Sequence, residues 1–390
     1  MRNRWRTRHT TLGVLMAAFF SVRFTQIAVS PLVPEFIDVF AVSTSLVGAA
    51  ISGMWLTYSL VQLPGGVFGD RFGERRVIVG TLGATLLASL LIAVSPSFIV
   101  VAVCIGFLGI GAGVYYPVSA ALLSRRFDDI GRTIGLHEAG SNLGGFLAPM
   151  VVAVLLSVAG WRSAFLFAAG LVATAAALVS TLLGSTPPVN AGASLRELVD
   201  LRTFADFGTR PGLLTTTAVA VAHEFSVQAT LSFLPTFLVA YHGLTVGTAG
   251  ILFSAYFVTV AVAQPVTGAI SDRIGRDPAI AAVFLVGVSN FGLIVVTDSF
   301  PVVVAATVLI GAAMSGGPSI HSRALDRLDS EERGVGFGLF RSTFMTLGSL
   351  SPLIVGTVVD AAGWGVAYGL VAGVLTVGTL VILVRSAQQR

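Results

Sequence analysis

The sequence predicts an all-α integral membrane protein of about twelve transmembrane helices in two pseudo-symmetric six-helix bundles, and three observations predict it. Hydrophobic residues make up 55% of the chain and charged residues 11%, with a mean hydropathy of +0.89; a soluble globule could not cover such a composition with a polar surface. Apolar runs of about twenty residues, the length that crosses a bilayer core as helix, recur along the whole chain. A polar signature, Gly66, Asp70, Arg71 and Gly73, returns as Gly268, Asp272, Arg273 and Gly275 at one constant offset.

The runs fall at about 10–34, 45–67, 76–95, 98–123, 134–158 and 163–184, then at 211–240, 246–270, 279–297, 300–321, 335–358 and 365–384. They are numbered here as spans 1 to 12. Barrel strands would be about half as long and would alternate in polarity, so every backbone polar group within a run must be satisfied by helix. Pro31, Pro34, Pro235 and Pro265 are expected to kink or end helices. Ser185 to Arg210 is the only long polar connection, opened by Thr186, Pro187 and Pro188. The expected organisation is a bundle over 1–184, a linker over 185–210 and a second bundle over 211–390. Within the linker, 194–206 is expected to form a short amphipathic helix on the inner membrane face.

The chain contains no lysine, so its 23 basic residues are all arginine, and their placement sets the orientation. Arg2, Arg4, Arg6 and Arg8 precede span 1, and Arg71, Arg75 and Arg76 follow span 2. Arg125, Arg126 and Arg132 follow span 4; Arg196, Arg202 and Arg210 separate spans 6 and 7; Arg273 and Arg276 follow span 8. Arg323, Arg327 and Arg333 follow span 10, and Arg385 and Arg390 end the chain. All lie on one side; Arg162 is the one loop arginine on the other. Both termini are therefore expected in the cytoplasm, at the cell membrane. The basic loops read as topology and attraction to anionic lipid rather than to nucleic acid. The first apolar run is long enough to span, and no small-residue cleavage site marks it as a cleavable leader.

Without lysine there is no P-loop and no Schiff-base site. His9, His137, His223, His242 and His321 form no cluster with metal-ligand spacing, so neither a cofactor nor an enzyme activity is expected. Cys104 is alone, which leaves no intrachain disulfide.

The duplication reaches beyond the signature. Arg126, Asp128, Arg132 and Gly135 recur as Arg327, Asp329, Arg333 and Gly336, while Pro149, Gly160 and Trp161 recur as Pro352, Gly363 and Trp364. Gln26, Ser30 and Leu32 match Gln228, Ser232 and Leu234 more weakly. Six spans per repeat, an even number, make the repeats parallel. Over essentially its whole length the chain resembles the major facilitator superfamily, on the loop Gly66-Val67-Phe68-Gly69-Asp70-Arg71-Phe72-Gly73-Glu74-Arg75-Arg76, its partner Gly268 to Arg276, and Gly160-Trp161-Arg162. The family has a basic residue where Glu74 stands; Arg276 keeps it in the second copy. Gly66 and Gly73 are suited to a tight turn and close helix approach. The resemblance implies that the loop abuts the start of span 11 near Arg333 to Gly336, holding the cytoplasmic side closed, with Asp272 acting likewise at Arg132 to Gly135. Asp70 merely ordering a solvated turn is the alternative.

Ionisable groups within spans cost several kcal/mol unless they face a cavity or a partner, so each is a functional candidate. These are Arg23, His137, Glu138, His223, Glu224 and Arg341. Arg23 and Glu224 both lie roughly 20 Å from the cytoplasmic helix ends, near the bilayer middle, on spans 1 and 7, which line the cavity in the resembled family. Two readings stand. They form a structural or gating ion pair, or Arg23 binds a substrate anion while Glu224 or Glu138 takes up a proton. The stretch Ser21 to Pro31 resembles span 1 of carriers of organic anions and organophosphates, and His137 sits like the histidine of some organophosphate carriers. Those carriers have a second arginine on span 7 where this chain has His223 and Glu224, which favours a monoanion.

Gln26, His223, Gln228, Tyr115 and Arg341 are further candidate substrate contacts, Tyr115 being equally suited to aromatic packing and Arg341 equally a partner for Glu138 in a gate, and His137 is a further proton-coupling candidate. Extrusion of hydrophobic or cationic compounds is the rival function, supported by Glu138, Glu224 and abundant Phe. Against it, Ile105 stands where many proton-driven exporters resembling this chain carry an arginine, and Gly140, Gly144, Gly145 and Pro149 do not follow the antiporter order. Gly140 and Gly144 are expected to serve close packing. His321 and Arg323 are expected to close span 10 as cations at its C-terminus. The sequence thus predicts a secondary transporter of a small organic anion, with proton coupling and alternating access, and the resemblance implies that it works as a monomer.

Overall fold

The structure, a computed structural model, describes residues 2–190, 192, 210–328 and 333–388. The expected amphipathic helix at 194–206, Arg196, Arg202, Asp329 and Arg390 lie outside the described residues, as do the side chains of Arg2, Arg4, Arg6, Arg8 and Arg333. Every described element is helical. The chain divides into two compact units, Met1–Val42 with Gly53–Val199, and Ser43–Ser52 with Asp200–Arg390.

In the first unit α1 (Arg2–Ile27) and α2 (Val33–Phe40) make span 1, joined by a 3-10 turn, Ser30–Leu32, that carries Pro31. Span 2 is α3 (Thr44–Leu60), whose residues up to Ser52 belong to the second unit, continued by α4 (Gln62–Phe72) and bent by 54° just ahead of Pro64, which has no N–H to extend the ladder. Spans 3 to 6 are α5 (Glu74–Ala93), α6 (Phe98–Arg126), α7 (Ile130–Ala159) and α8 (Trp161–Leu182). A cluster including Leu15, Val22, Leu82, Tyr115, Val118, Val172 and Val179 forms the core.

Span 1 packs against span 5 at two glycines. A Cβ on Gly140 would stand 2.5 Å from the Met16 carbonyl oxygen, and one on Gly144 would stand 2.6 Å from that of Phe20. Only glycine lets the backbones approach so closely.

In the second unit α9 (Pro211–Ala240), α10 (Val246–Ile274) and α11 (Arg276–Val296) are spans 7 to 9. Span 10 is α12 (Phe300–Ala313) continued by α13 (Gly317–Leu325). Span 11 is α14 (Arg333–Gly348) with the start of α15 (Ser351–Gln388), whose remainder is span 12.

Among the described residues nine helices are long and apolar enough to cross a membrane, and the bent pair of span 2 makes ten. The stretch Gly336–Ser386 counts once there, yet its 51 residues would measure about 75 Å as one helix, more than twice a bilayer core. It breaks at Gly363, φ +84°, and supplies two spans. Span 7 is long enough at 30 residues but less apolar, because His223, Glu224 and Gln228 interrupt it. Leu213 to Leu238 is buried almost throughout, as befits an interior helix.

The repeat extends to the backbone. Gly73 and Gly275 have φ of +83° and +96°, and Gly160 and Gly363 have +76° and +84°, so the two most distinctive turns of each unit are left-handed at matching glycines.

Candidate substrate site

In the first unit Arg23 lies in mid-span 1, its guanidinium carbon 5.5 Å from the centroid of the Trp55 ring. Such a stack holds a cation in weakly polar surroundings without neutralising it. Gly144 gives Arg23 room, since a Cβ there would lie 3.3 Å from the Arg23 Cβ. One turn further on, Gln26 is buried, and its amide nitrogen has no hydrogen-bond partner among the described residues; the Trp55 indole nitrogen has none either. Buried donors left without acceptors are rare in folded proteins.

Tyr115 is fully buried and donates its hydroxyl to the Leu15 carbonyl at 2.6 Å. His137 is buried behind it, its Nε2 3.4 Å from the same hydroxyl and its ring stacked on Phe19 at 4.7 Å. Both are buried within this unit. Glu138, the next residue on span 5, is half-buried.

In the second unit a cavity of about 210 Å³ is walled by spans 7, 8, 10 and 11, its polar lining being His223, Glu224, Tyr256, Gln264 and His321. Helical spacing puts each wall on one face: Ala220, His223, Glu224 and Val227 on span 7, and Tyr256, Val260 and Gln264 on span 8. His223 Nε2 is 3.3 Å from the Met314 carbonyl, and the Gly316-Gly317 pair leaves room for the ring. Glu224 accepts a hydrogen bond from the Gln228 amide at 2.7 Å and lies against Gly348, where any side chain would collide with it. Gln228 Oε1 is buried without a donor among the described residues. Arg341, half-buried on span 11, acts electrostatically on His321.

Sequence reasoning missed Tyr256, Gln264 and His321 as cavity residues; Gln264, a polar residue in mid-span, was the signal available for span 8. Of the two cations expected to close span 10, Arg323 lies in its last turn, while the expectation for His321 is corrected. His321 turns into the cavity, and Arg323, 1% exposed, pairs with Asp277 at 2.5 Å and donates to Thr216.

The signature loops lie at the ends of spans 2 and 8. Arg125 pairs with Asp70 at 3.3 Å and with Glu74, and the Asp70 carbonyl accepts the N–H groups of Val189 and Asn190 at 2.9 and 3.0 Å. Arg276 pairs with Asp272 and, at 3.2 Å, with Asp326. Arg71 lies over the Phe72 ring at 5.4 Å; Arg71, Arg132 and Arg273 are exposed.

A Cβ on Gly66 or Gly268 would meet nothing, so neither serves a close approach. That is made instead at Gly65, whose Cβ would fall 3.1 Å from Val114, and at Gly69, 3.3 Å from Val118. Gly73 does make the expected tight turn, closed on the Thr186 carbonyl.

The family profile described as Major Facilitator Superfamily matches residues 15–245 and 216–390. The chain is 23% identical over 98% of its length, and 95% of the relative's, to a protein of Cupriavidus necator named "Probable sulfoacetate transporter SauU". It is 24% identical to "Probable anion transporter 4, chloroplastic" of Oryza sativa, over 91% of this chain and 64% of that one. A "Multidrug resistance protein B homolog" of Mycobacterium tuberculosis is 30% identical over 40% of this chain and 29% of its own. Among solved structures, a bacterial homologue of the human lysosomal transporter Spinster superposes with a TM-score of 0.83 at 15% identity, covering 96% of both chains. Two repeated six-span units, matching signature loops and a profile match across nearly every residue have one reading: the chain belongs to the Major Facilitator Superfamily, a multi-pass membrane transporter and not an enzyme.

Proposed function

We propose that the protein moves a small organic anion across the cell membrane by alternating access of two halves, 1–184 and 211–390, joined by 185–210, working as a monomer with both termini in the cytoplasm. The observation that carries this is Arg23, a permanent cation in mid-membrane held on an aromatic face beside the unbonded amide of Gln26. A guanidinium gives a carboxylate or sulfonate a bidentate seat, and an arginine in mid-span is a functional candidate by default. The relatives named for sulfoacetate and anions support the same class. Sulfoacetate, a two-carbon acid whose carboxylate and sulfonate make it a dianion, is to be tested against the organic monoanions that the acidic Glu224 favours.

Protons are the proposed coupling ion, with Glu224 the leading acceptor and Glu138 the second. Asp70 and Asp272, with Gly73, Gly275 and their arginines, are proposed as cytoplasmic gates acting on the starts of spans 11 and 5. The rival reading, proton-driven extrusion of hydrophobic or cationic compounds, draws on the acidic Glu224 within the second unit's cavity and on the drug-resistance relative.

The test is lumenal pH in proteoliposomes on addition of organic anions, cations or neutral solutes, with Arg23→Gln as the matched control. Acidification with an anion, abolished by Arg23→Gln, is the expected result. Proton movement with cations or apolar compounds alone would make the protein an exporter and Arg23 a structural residue.

A further inference from the structure

Of the two histidines and one carboxylate lining the second unit's cavity, two have partners that hold them. His223 is tied to the Met314 carbonyl and stacks on Phe284 with the rings 9° from parallel. Glu224 is bonded to Gln228. His321 differs. Its ring is fixed by the aromatic side chains of span 11, Phe337 at 5.6 Å, Phe340 at 6.5 Å and Phe344 at 5.7 Å, which clamp its position and give it no hydrogen bond. Among the described residues neither ring nitrogen has a hydrogen-bond partner.

A neutral imidazole carries one N–H donor and one acceptor nitrogen, and the half-buried His321 lines the cavity with both left for a ligand to use. The charged and titratable groups around it are His223 and Glu224 from span 7, Tyr256 from span 8 and Arg341 from span 11. A donor held rigidly by rings, within the electrostatic reach of a guanidinium and opening on a cavity, matches the oxygen of an anionic group: Arg341 supplies the charge and the imidazole N–H the direction.

We propose that His321 is a substrate-contacting residue, its imidazole donating a hydrogen bond to a carboxylate or sulfonate oxygen bound in the second unit's cavity. This rests on the organic-anion reading and adds a recognition point on the half of the chain that does not contain Arg23.

The test labels wild-type protein in nanodiscs with diethylpyrocarbonate and reads each histidine by peptide mass spectrometry, with sulfoacetate, lactate, benzoate or tetraethylammonium present. His321 labelling is expected to slow several-fold with at least one of the three anions and not with tetraethylammonium, while the exposed His9 is unaffected. In proteoliposomes His321→Phe is expected to raise KM for that anion about tenfold, equal to about 1.4 kcal/mol, at unchanged Vmax, with His321→Gln, which keeps an N–H donor, less affected. If an anion is transported and Arg23→Gln abolishes it, yet His321 is labelled at the same rate with and without that anion, this inference fails and the anion reading stands. If none of the anions is transported and tetraethylammonium alone protects His321, both fall.

Discussion

At the loop between spans 2 and 3 an arginine from the end of span 4, Arg125, lies between two carboxylates of the loop, Asp70 and Glu74. At the equivalent loop between spans 8 and 9 the arginine belongs to the loop: Arg276 lies between Asp272 and, from the end of span 10, Asp326. Glu74 and Arg276 occupy the same repeat position, and so do Arg125 and Asp326. The two units keep one backbone and one net arrangement of charge, two acids around one arginine, with two of the three partners exchanged. Glu74, a departure from the family pattern when the loop is read alone, is therefore matched by Arg125, which stands where the second unit has Asp326. Salt-bridge partners can be exchanged because the interaction depends on the product of the charges and not on which helix carries each.

One turn inward the units diverge altogether. Arg323, Asp277 and Thr216 form a buried polar knot joining spans 10, 9 and 7; their repeat equivalents are Leu122, Arg75 and Val14. Leu122 and Val14 belong to the apolar core, while Arg75 donates to the Ser180 carbonyl. This contrast predicts the largest stability effect in the molecule. Removing one member of a buried pair strands the other charge, at about 3–5 kcal/mol, whereas replacing both with groups of matching volume is often neutral. Arg323→Ala should therefore lower the melting temperature of the detergent-solubilised protein most, and Arg323→Leu with Asp277→Asn should recover most of the loss. A double variant no better than the single would show that the knot does more than fill space.

The second effect in size belongs to the first unit's triad. Glu74 is 2% exposed, so Arg125→Ala leaves a buried carboxylate with no cation from span 4, a loss of about 1–3 kcal/mol. The exchange Glu74→Arg with Arg125→Asp installs the second unit's pattern and should restore stability, a coupling visible in a double-mutant cycle. Additive losses would disprove the equivalence of the two triads.

A third contrast concerns the starts of spans 2 and 8. Each has its own hydroxyl cap: Ser43 accepts the Leu46 N–H at 3.2 Å, and Thr245 accepts the Thr248 N–H at 3.2 Å. Span 2 has more, because Asp360, in the hairpin between spans 11 and 12, accepts the N–H groups of Thr44 and Ser45 at 3.0 and 2.8 Å. Gly48 and Gly356 permit the approach, the first against the Pro352 carbonyl and the second 2.7 Å from that of Thr44. Ser157, the repeat equivalent of Asp360, bonds only within its own helix.

Burial alone would raise the carboxyl pKa of Asp360, but hydrogen bonds from Ser45 and Thr44 outweigh it and hold it below the usual value. The stabilisation is therefore present above an unfolded pKa of about 4 and is lost as pH falls through the depressed folded value. Asp360→Asn should cost about 0.5–2 kcal/mol at neutral pH, as caps do. Relative to wild type, its melting temperature should change less between pH 6 and 3. Parallel pH profiles would sink the capping account.

Much of this was legible in the sequence and some was not, for physical reasons. Span positions follow from apolar run length, which the bilayer dictates, and the repeat follows from glycines whose positive φ tolerates little else, Gly73 with Gly275 and Gly160 with Gly363. Partnerships across the fold are another matter. Arg125 and Glu74 meet only after three spans have packed, and nothing local marks Arg323 as buried, since an arginine near a helix end reads equally as a solvated cap. Tyr115 reads equally as a cavity aromatic and a packing one, because periodicity locates a face and not what covers it; its hydroxyl is bonded to span 1. Gly66 reads as a packing glycine, but its neighbours Gly65 and Gly69 make the contact.

The smallest stability effect is expected at the second unit's triad, and it separates folding from gating. Asp272 and Asp326 are 66% and 56% exposed, and exposed pairs contribute about 0–1 kcal/mol and weaken with salt. Asp272→Asn should leave the melting temperature nearly unchanged. Asp70, 42% exposed, should behave similarly as Asp70→Asn, because Arg125 keeps Glu74. Any larger change in these variants must then appear in conformation: if the loops hold the cytoplasmic side closed, cysteines placed on that side should react faster with a membrane-impermeant thiol reagent in Asp70→Asn than in the parent, at equal thermal stability. Equal labelling rates at equal stability would reduce Asp70 to a residue that orders its turn through Arg125, Val189 and Asn190, and the gate would have to be sought elsewhere.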